Sequence, residues 1–219
     1  GGQKNKDKNR MILLVAGICI LTFIVYSNSL RNGFMTNWDD HEYVMNNVDI
    51  KNLTADNIKT IFSKFYIGNY QPLTILSYAL DFNFFGLNPK GFHWINLLLH
   101  LFNTCLVFYF IQLLSKRIEV SLITSLCFAI HPMHAESVAW IAERKDVLFT
   151  FFLLASLACY MRYINEGNKS KFFVAALVLF ICSCLSKSAA VILPLLFLLV
   201  DLYTERKISI KTILEKIPF

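Results

Sequence analysis

Four stretches of the chain, Met11 to Tyr26, Ile95 to Leu114, Val147 to Tyr163 and Ala189 to Leu202, run almost without charge. A helix needs about 20 mainly apolar residues to cross a bilayer, with some tolerance at the short end. With two shorter apolar runs added, the pattern predicts spans near 11–29, 92–114, 118–132, 147–164, 172–187 and 188–204, the third being short. Leu73 to Phe85 is also apolar but covers only 13 residues before Gly86, so it reads as an interfacial or re-entrant helix. Residues 30–91 then form one large loop after the first span. Inside it, Leu53-Thr54-Ala55-Asp56-Asn57 opens an amphipathic helix toward Phe65. Ile58, Ile61, Phe62 and Phe65 share one face at helical spacing, and that face is expected to lie on the membrane surface. The fold class expected is all-α: a polytopic membrane helix bundle whose large first extracytoplasmic loop bears interfacial helices.

Composition agrees. Of 219 residues, 56% are apolar and only 16% charged, and the mean hydropathy is +0.51, whereas a soluble domain carries about a quarter charged residues. Disordered chains, secreted disulfide scaffolds and cytosolic enzymes are excluded. The six cysteines all fall within apolar runs and read as small core hydrophobes. The net charge of +6 does not mark a nucleic-acid binder, because the basic residues sit at the ends of apolar runs. Lys4, Lys6, Lys8 and Arg10 in the tail 1–10, then Lys116, Arg117, Arg162, Lys169, Lys171 and the basic residues of 205–219, collect on one side, which the positive-inside rule makes cytoplasmic. Counting Leu73 to Phe85 as a span would move most of them outside. The first apolar run lacks a convincing small-residue cleavage site and is expected to stay as a signal anchor.

Three polar constellations then fall on the extracytoplasmic side. The first is Asn37-Trp38-Asp39-Asp40-His41-Glu42; paired carboxylates at a membrane surface can serve as a general base, hold a cation, or be solvated loop. The second is a stripe of His93, Asn96, His100 and Asn103, which at about 100° per residue occupies less than a quarter of the helix circumference. Polar groups in hydrocarbon turn inward to partners or to a wet cavity, so the stripe is expected to face the bundle.

The third constellation runs from His131-Pro132-Met133-His134-Ala135-Glu136 to Glu143-Arg144-Lys145-Asp146. His131, His134 and Glu136 admit a zinc reading but lack the H-E-x-x-H arrangement. Arg144 and Lys145 instead suit a phosphate, Arg as a planar fork and Lys as a point charge. Lys187, at the turn between the last two expected spans, adds a cation on the same side, or else simply anchors the membrane edge.

Trp38-Asp39-Asp40, Tyr70-Gln71-Pro72-Leu73-Thr74, Gly86-Leu87-Asn88-Pro89-x-Gly91-Phe92-His93, the Asn96 to His100 stretch and His131 to Trp140 together resemble the membrane half of the transmembrane and tetratricopeptide-repeat proteins. These belong with the protein O-mannosyltransferases in the GT-C class of glycosyltransferases, and the resemblance covers residues 11 to 205. It implies that the first carboxylate of an acidic pair accepts the proton of the acceptor hydroxyl, a role that falls by position on Asp39 with Asp40 as its neighbour. It also implies a donor sugar on a polyprenyl phosphate, its lipid tail between spans and its phosphate near Arg144, Lys145 and Lys187. His93, Asn96, His131, His134, Glu136 and Glu143 would line the same cavity. No cofactor is required on this reading, no metal ligand is assigned, and the use of a divalent metal stays open. Membrane lipid, the lipid-linked sugar and an acceptor protein are the expected partners, with further protein partners through repeats outside this chain and no nucleic acid.

The resemblance also implies more spans and carboxy-terminal repeats, so the chain reads as a fragment whose last stretch, 205–219, is cytoplasmic. High Asn, Lys and Ile usage points to a bacterial inner membrane; a eukaryotic relative would occupy the endoplasmic reticulum. Two rival readings are a non-catalytic membrane scaffold of the same fold and, more weakly, a metal-dependent hydrolase at His131, His134 and Glu136.

Overall fold

The computed structural model describes residues 2–207 and 209–219, without the side chains of 2–8 and 211. The expected placement of Lys4, Lys6, Lys8 and Lys211 therefore lies outside the described residues. In chain order the α-helices are α1 (Gly2–Tyr26), α2 (Ala55–Ser63), α3 (Pro72–Phe85), α4 (Pro89–Ser115), α5 (Ile118–Ile130), α6 (His134–Ala139), α7 (Arg144–Asn165), α8 (Ser170–Ser186), α9 (Leu193–Tyr203) and α10 (Ile210–Leu214). There is no β-strand among the described residues, only a single bridge between Tyr66 and Asn69. The protein is an all-α membrane bundle.

Three helical stretches, Asn9–Arg31, Pro89–Ser115 and Ile141–Asn165, are long and apolar enough to cross a membrane. Ile118–Ile130, Ser170–Ser186 and Ser188–Tyr203 are apolar but shorter. The ends follow local chemistry. α4 starts at Pro89, with the Asn88 side chain accepting the Lys90 N–H at 3.2 Å, because proline fits the first helical turn and asparagine caps it. α5 stops at Ile130, two residues before the expected 132, since Pro132 drives His131 into extended backbone (ψ 130°). α7 begins at Arg144, three residues earlier than expected.

The amphipathic helix divides its apolar face between the loop core and the surface. Ile61 is buried in the loop's own core with Tyr43, Ile50 and Ile75, and α2 ends at Ser63, which leaves Phe65 beyond the helix and two-thirds exposed. Ile58 and Phe62 of the same face are exposed, so the loop core takes one residue of the face and leaves the others at the surface. α3 buries Thr74, Ile75, Tyr78 and Ala79 and exposes Leu80, Phe84 and Phe85. At 14 residues it reaches about 21 Å, short of a bilayer core. It turns into α4 through Gly86 (φ +58°) and Gly91, where a Cβ would come within 2.4 Å of the Phe85 ring.

One buried cation joins α3, α4 and α7. Arg144 is wholly enclosed; its Nε donates to Asn96 Oδ1 at 2.8 Å and its Nη2 to the Phe92 carbonyl at 2.8 Å. Its Nη1 pairs with Asp81, and the guanidinium lies 4.9 Å from the centre of the Tyr78 ring. Burial pushes the Asp81 carboxyl up, and Arg144 opposes that shift. At the opposite end of the bundle, Tyr160 on α7 donates to Asp201 on α9 at 2.8 Å, and Lys216 also pairs with Asp201 at 2.8 Å. Arg206 adds a contact to Asp201 at 3.3 Å and one to Glu215 at 2.8 Å.

Removing one partner of a buried ion pair strands the other. Arg144→Met is expected to cost about 3–5 kcal/mol, with Arg144→Met/Asp81→Leu recovering most of it. Thermal unfolding of the detergent-solubilised protein measures both; a single variant that melts like the wild type would show that the pair does not hold the corner.

Candidate functional site

The loop-bearing face of the bundle gathers the polar groups. Asp39 and Asp40 precede a single π-helical turn, His41–Met45, and their environments diverge. Asp40 is fully buried: one carboxylate oxygen accepts the Met35 N–H at 2.9 Å and the other the Ala142 N–H at 2.8 Å. Burial raises the Asp40 carboxyl above its usual range, and these two backbone donors offset part of the rise. Asp39, one residue earlier, keeps its side chain 35% exposed, and one of its oxygens lies 3.6 Å from Lys145 Nζ. Lys145 also pairs with Glu143 at 2.8 Å and lies over the Tyr43 ring. Asp39, Lys145 and Glu143 therefore form one group, open to the surface mainly through Asp39.

A second group lies one residue further along α7. Asp146 pairs with Lys187 and accepts from Ser137 at 3.4 Å. Both charged side chains of that pair remain partly exposed, at 32% for Lys187 and 25% for Asp146. Next to it, His100, Asn103, His134, Ser137, Asp146 and Thr150 line a small, partly open cavity of about 30 Å³, room for a water molecule or two.

The structure gives several expected site residues other work. Arg144, expected beside a lipid phosphate, has no exposed surface and is committed to Asp81, Asn96 and Phe92. Asn96 is likewise occupied, accepting from Arg144 and donating to the Trp140 carbonyl at 3.0 Å. The stripe does face inward: His93, Asn96, His100 and Asn103 are all buried. His100 meets the Ala129 carbonyl at 2.9 Å and Asn103 donates to the Val147 carbonyl at 2.8 Å, which ties α4 to α5 and α7. His93 has no hydrogen-bond partner at either ring nitrogen among the described residues.

His131 and Glu136 are exposed and His134 is half-buried. Burial lowers the His134 ring below its usual value, with His131 adding to the effect. His134 packs 4.6 Å from the Phe128 ring, and its ring centre is 6.0 Å from that of His131. Among the described residues no three His, Cys, Asp or Glu side chains are placed to hold one ion, so the trio behind the hydrolase reading is not assembled. Asp81 and Tyr78, which complete the Arg144 corner, carry only one sequence signal: a lone acid within an apolar helix.

Relatives bear on this geometry. The family model for dolichyl-phosphate-mannose-protein mannosyltransferases matches residues 51–213. The chain is 30% identical to the Protein O-mannosyl-transferase TMTC1 of Mus musculus over 229 residues, covering 93% of this chain and 24% of that protein. It is 33% identical over 153 residues to the Protein O-mannosyl-transferase TMTC2 of Homo sapiens, covering 68% of this chain and 18% of that protein. The Protein O-mannosyl-transferase Tmtc1 of Drosophila melanogaster is 33% identical over 156 residues, 67% of this chain and 17% of that protein. The chain thus spans about a quarter or less of the length of these curated relatives. No solved structure matches it. The match over 51–213, three-quarters of the chain and spanning the inward-facing polar stripe already described, means that the chain belongs to the dolichyl-phosphate-mannose-protein mannosyltransferase family.

Proposed function

We propose that this chain is the membrane part of a glycosyltransferase that moves a sugar, mannose by analogy with its relatives' names, from a polyprenyl phosphate to a protein Ser or Thr hydroxyl. Six spans, near the boundaries expected from the sequence, would place loop 30–91 and the 131–146 segment on the extracytoplasmic side. The carrying observation is the contrast within the acidic pair. Asp40 is sealed by two backbone N–H groups, whereas Asp39 reaches the water boundary with Lys145 beside it.

A hydroxyl is a poor nucleophile, and a positioned carboxylate that takes its proton speeds attack by about 10²–10⁴. The hydroxyl oxygen of the acceptor bonds to the anomeric carbon as the bond from that carbon to the phosphate oxygen breaks. Its proton passes to Asp39, and the lipid phosphate departs with the bonding pair. Lys145 and Lys187 are the cations that can meet this charge, by turning from Glu143 and Asp146 toward the phosphate. Arg144 supports them from beneath instead of binding the donor. His134 and Glu143 border the same face.

The scaffold reading has one observation in its favour. Lys145, Lys187 and Arg144 each already have an acidic partner, as a network built only for structure would. Repeats outside this chain would then carry the function through protein partners. Endoplasmic reticulum is the compartment that fits the animal relatives, and bacterial inner membrane the one that fits the residue usage.

In the full-length protein Asp39→Asn is expected to lower sugar transfer to an acceptor peptide at least about a hundredfold with an unchanged melting temperature. Asp40→Asn turns an amide NH₂ toward one of two backbone N–H groups and is expected to cost about 1–3 kcal/mol of stability, read in the same melt. Full transfer by Asp39→Asn removes the assigned base. Native mass spectrometry of the detergent-purified protein tests the donor site: co-purified polyprenyl phosphate should be retained by the wild type and lost from Lys145→Ala/Lys187→Ala. Equal retention by both proteins rules out these two lysines as its ligands.

A further inference from the structure

A second feature of the large loop lies beside the acidic pair. Glu42, Asn46, Asn47, Lys64, Phe65 and Ile67 line a water-facing cleft of about 240 Å³. Its near wall is the helical turn that follows Asp39 and Asp40. Its far wall is the segment after α2, where Lys64 is extended (φ −119°, ψ 148°). Among the described residues, neither the N–H nor the carbonyl of Lys64 and Phe65 has a hydrogen-bond partner. Tyr66 and Asn69 then close a tight hairpin by two bonds of 2.9 Å. An extended backbone with open donors and acceptors is the template on which another extended chain adds as a strand.

The hairpin tip is an independent sign. Its two central residues are Ile67 (φ +48°) and Gly68 (φ +73°). Such a turn favours Asn-Gly, and a β-branched residue with positive φ is strained. Ile67 is nonetheless half exposed there, beside the exposed side chains of Phe65 and Tyr70. Neither folding nor solubility is served by that choice. Strain kept at an exposed apolar position marks a contact surface.

We propose that this cleft seats the acceptor polypeptide in extended form, its backbone pairing with the N–H and carbonyl of Phe65, which face away from the Tyr66–Asn69 bridge, and its alternate side chains resting on Phe65 and Ile67. The inference rests on the transferase reading and adds to it the conformation of the substrate. Glu42 is three residues from Asp39, about one helical turn or 5 Å along the axis, and an extended chain advances about 3.3 Å per residue. The hydroxyl delivered to Asp39 therefore lies within a few residues of the seated stretch, and acceptor selection is local and backbone-led.

Binding, rather than transfer, tests this. The probe is a fluorescein-labelled peptide of alternating valine and threonine, added to the full-length protein in lipid nanodiscs, together with the same peptide N-methylated at alternate backbone positions. Loss of two ladder hydrogen bonds is expected to weaken binding about tenfold or more in one of the two methylation registers and little in the other. Phe65→Ala and Ile67→Asn are expected to weaken it several-fold, the latter although it relieves the turn, while Met133→Ala, exposed and outside the cleft lining, leaves it unchanged. Equal binding of parent and both methylated peptides overturns the proposal. So does a benzophenone side chain at position 65 that cross-links only to the protein's own chain. Peptide seated here by a protein that transfers no sugar removes the reaction but not the cleft; transfer that ignores the cleft variants removes the cleft alone.

Discussion

A guanidinium cannot shed its charge in a protein, so one buried without partners is untenable. Arg144 meets that demand with groups from α3 and α4, and the demand dictates the architecture of the loop-bearing face. α3 must cross close to α4 for Asp81 to reach the cation. Successive residues of a helix turn by about 100°, so enclosing Arg144 directs Lys145 and Asp146 to other sides of α7. One meets Asp39 and Glu143, the other Lys187 and Ser137. The polar groups at the water boundary are thus placed by a residue that never reaches water.

Asp40 works in the same manner on a smaller scale. Its two backbone donors come from residues 35 and 142, which pins the start of the large loop to the segment entering α7. Adjacent residues of identical type divide the work, one fastening the chain and the other left partly open. Chemical type alone does not distinguish them; burial does.

Much of this was legible in the sequence. The apolar runs located the long helices, and the inward turn of His93, Asn96, His100 and Asn103 followed from helical spacing and the cost of polar groups in hydrocarbon. Failures came where a pattern permits two burial partners. The apolar face of α2 does not report its own division: Ile61 enters the loop core while Ile58 and Phe62 stay exposed. Arg144 beside Lys145 looks like a pair of exposed cations, because the decisive group, Asp81, is 63 residues away in the chain and signals only as one acid in an apolar helix. Nothing in local periodicity reports the positive φ of Ile67 or the open backbone before it, since both arise from how the loop closes on itself.

α7 is fastened at both ends by charge: at one by Arg144 in its corner, at the other by Tyr160 through Asp201 to Arg206 and Lys216. Both sit on one 22-residue helix, with about 24 Å of regular backbone between Arg144 and Tyr160. A rod gripped at each end transmits displacement instead of absorbing it. The contacts of the segment after α9 and those of Lys145 and Asp146 thus share one rigid element, and the bundle is built as a lever as well as a wall.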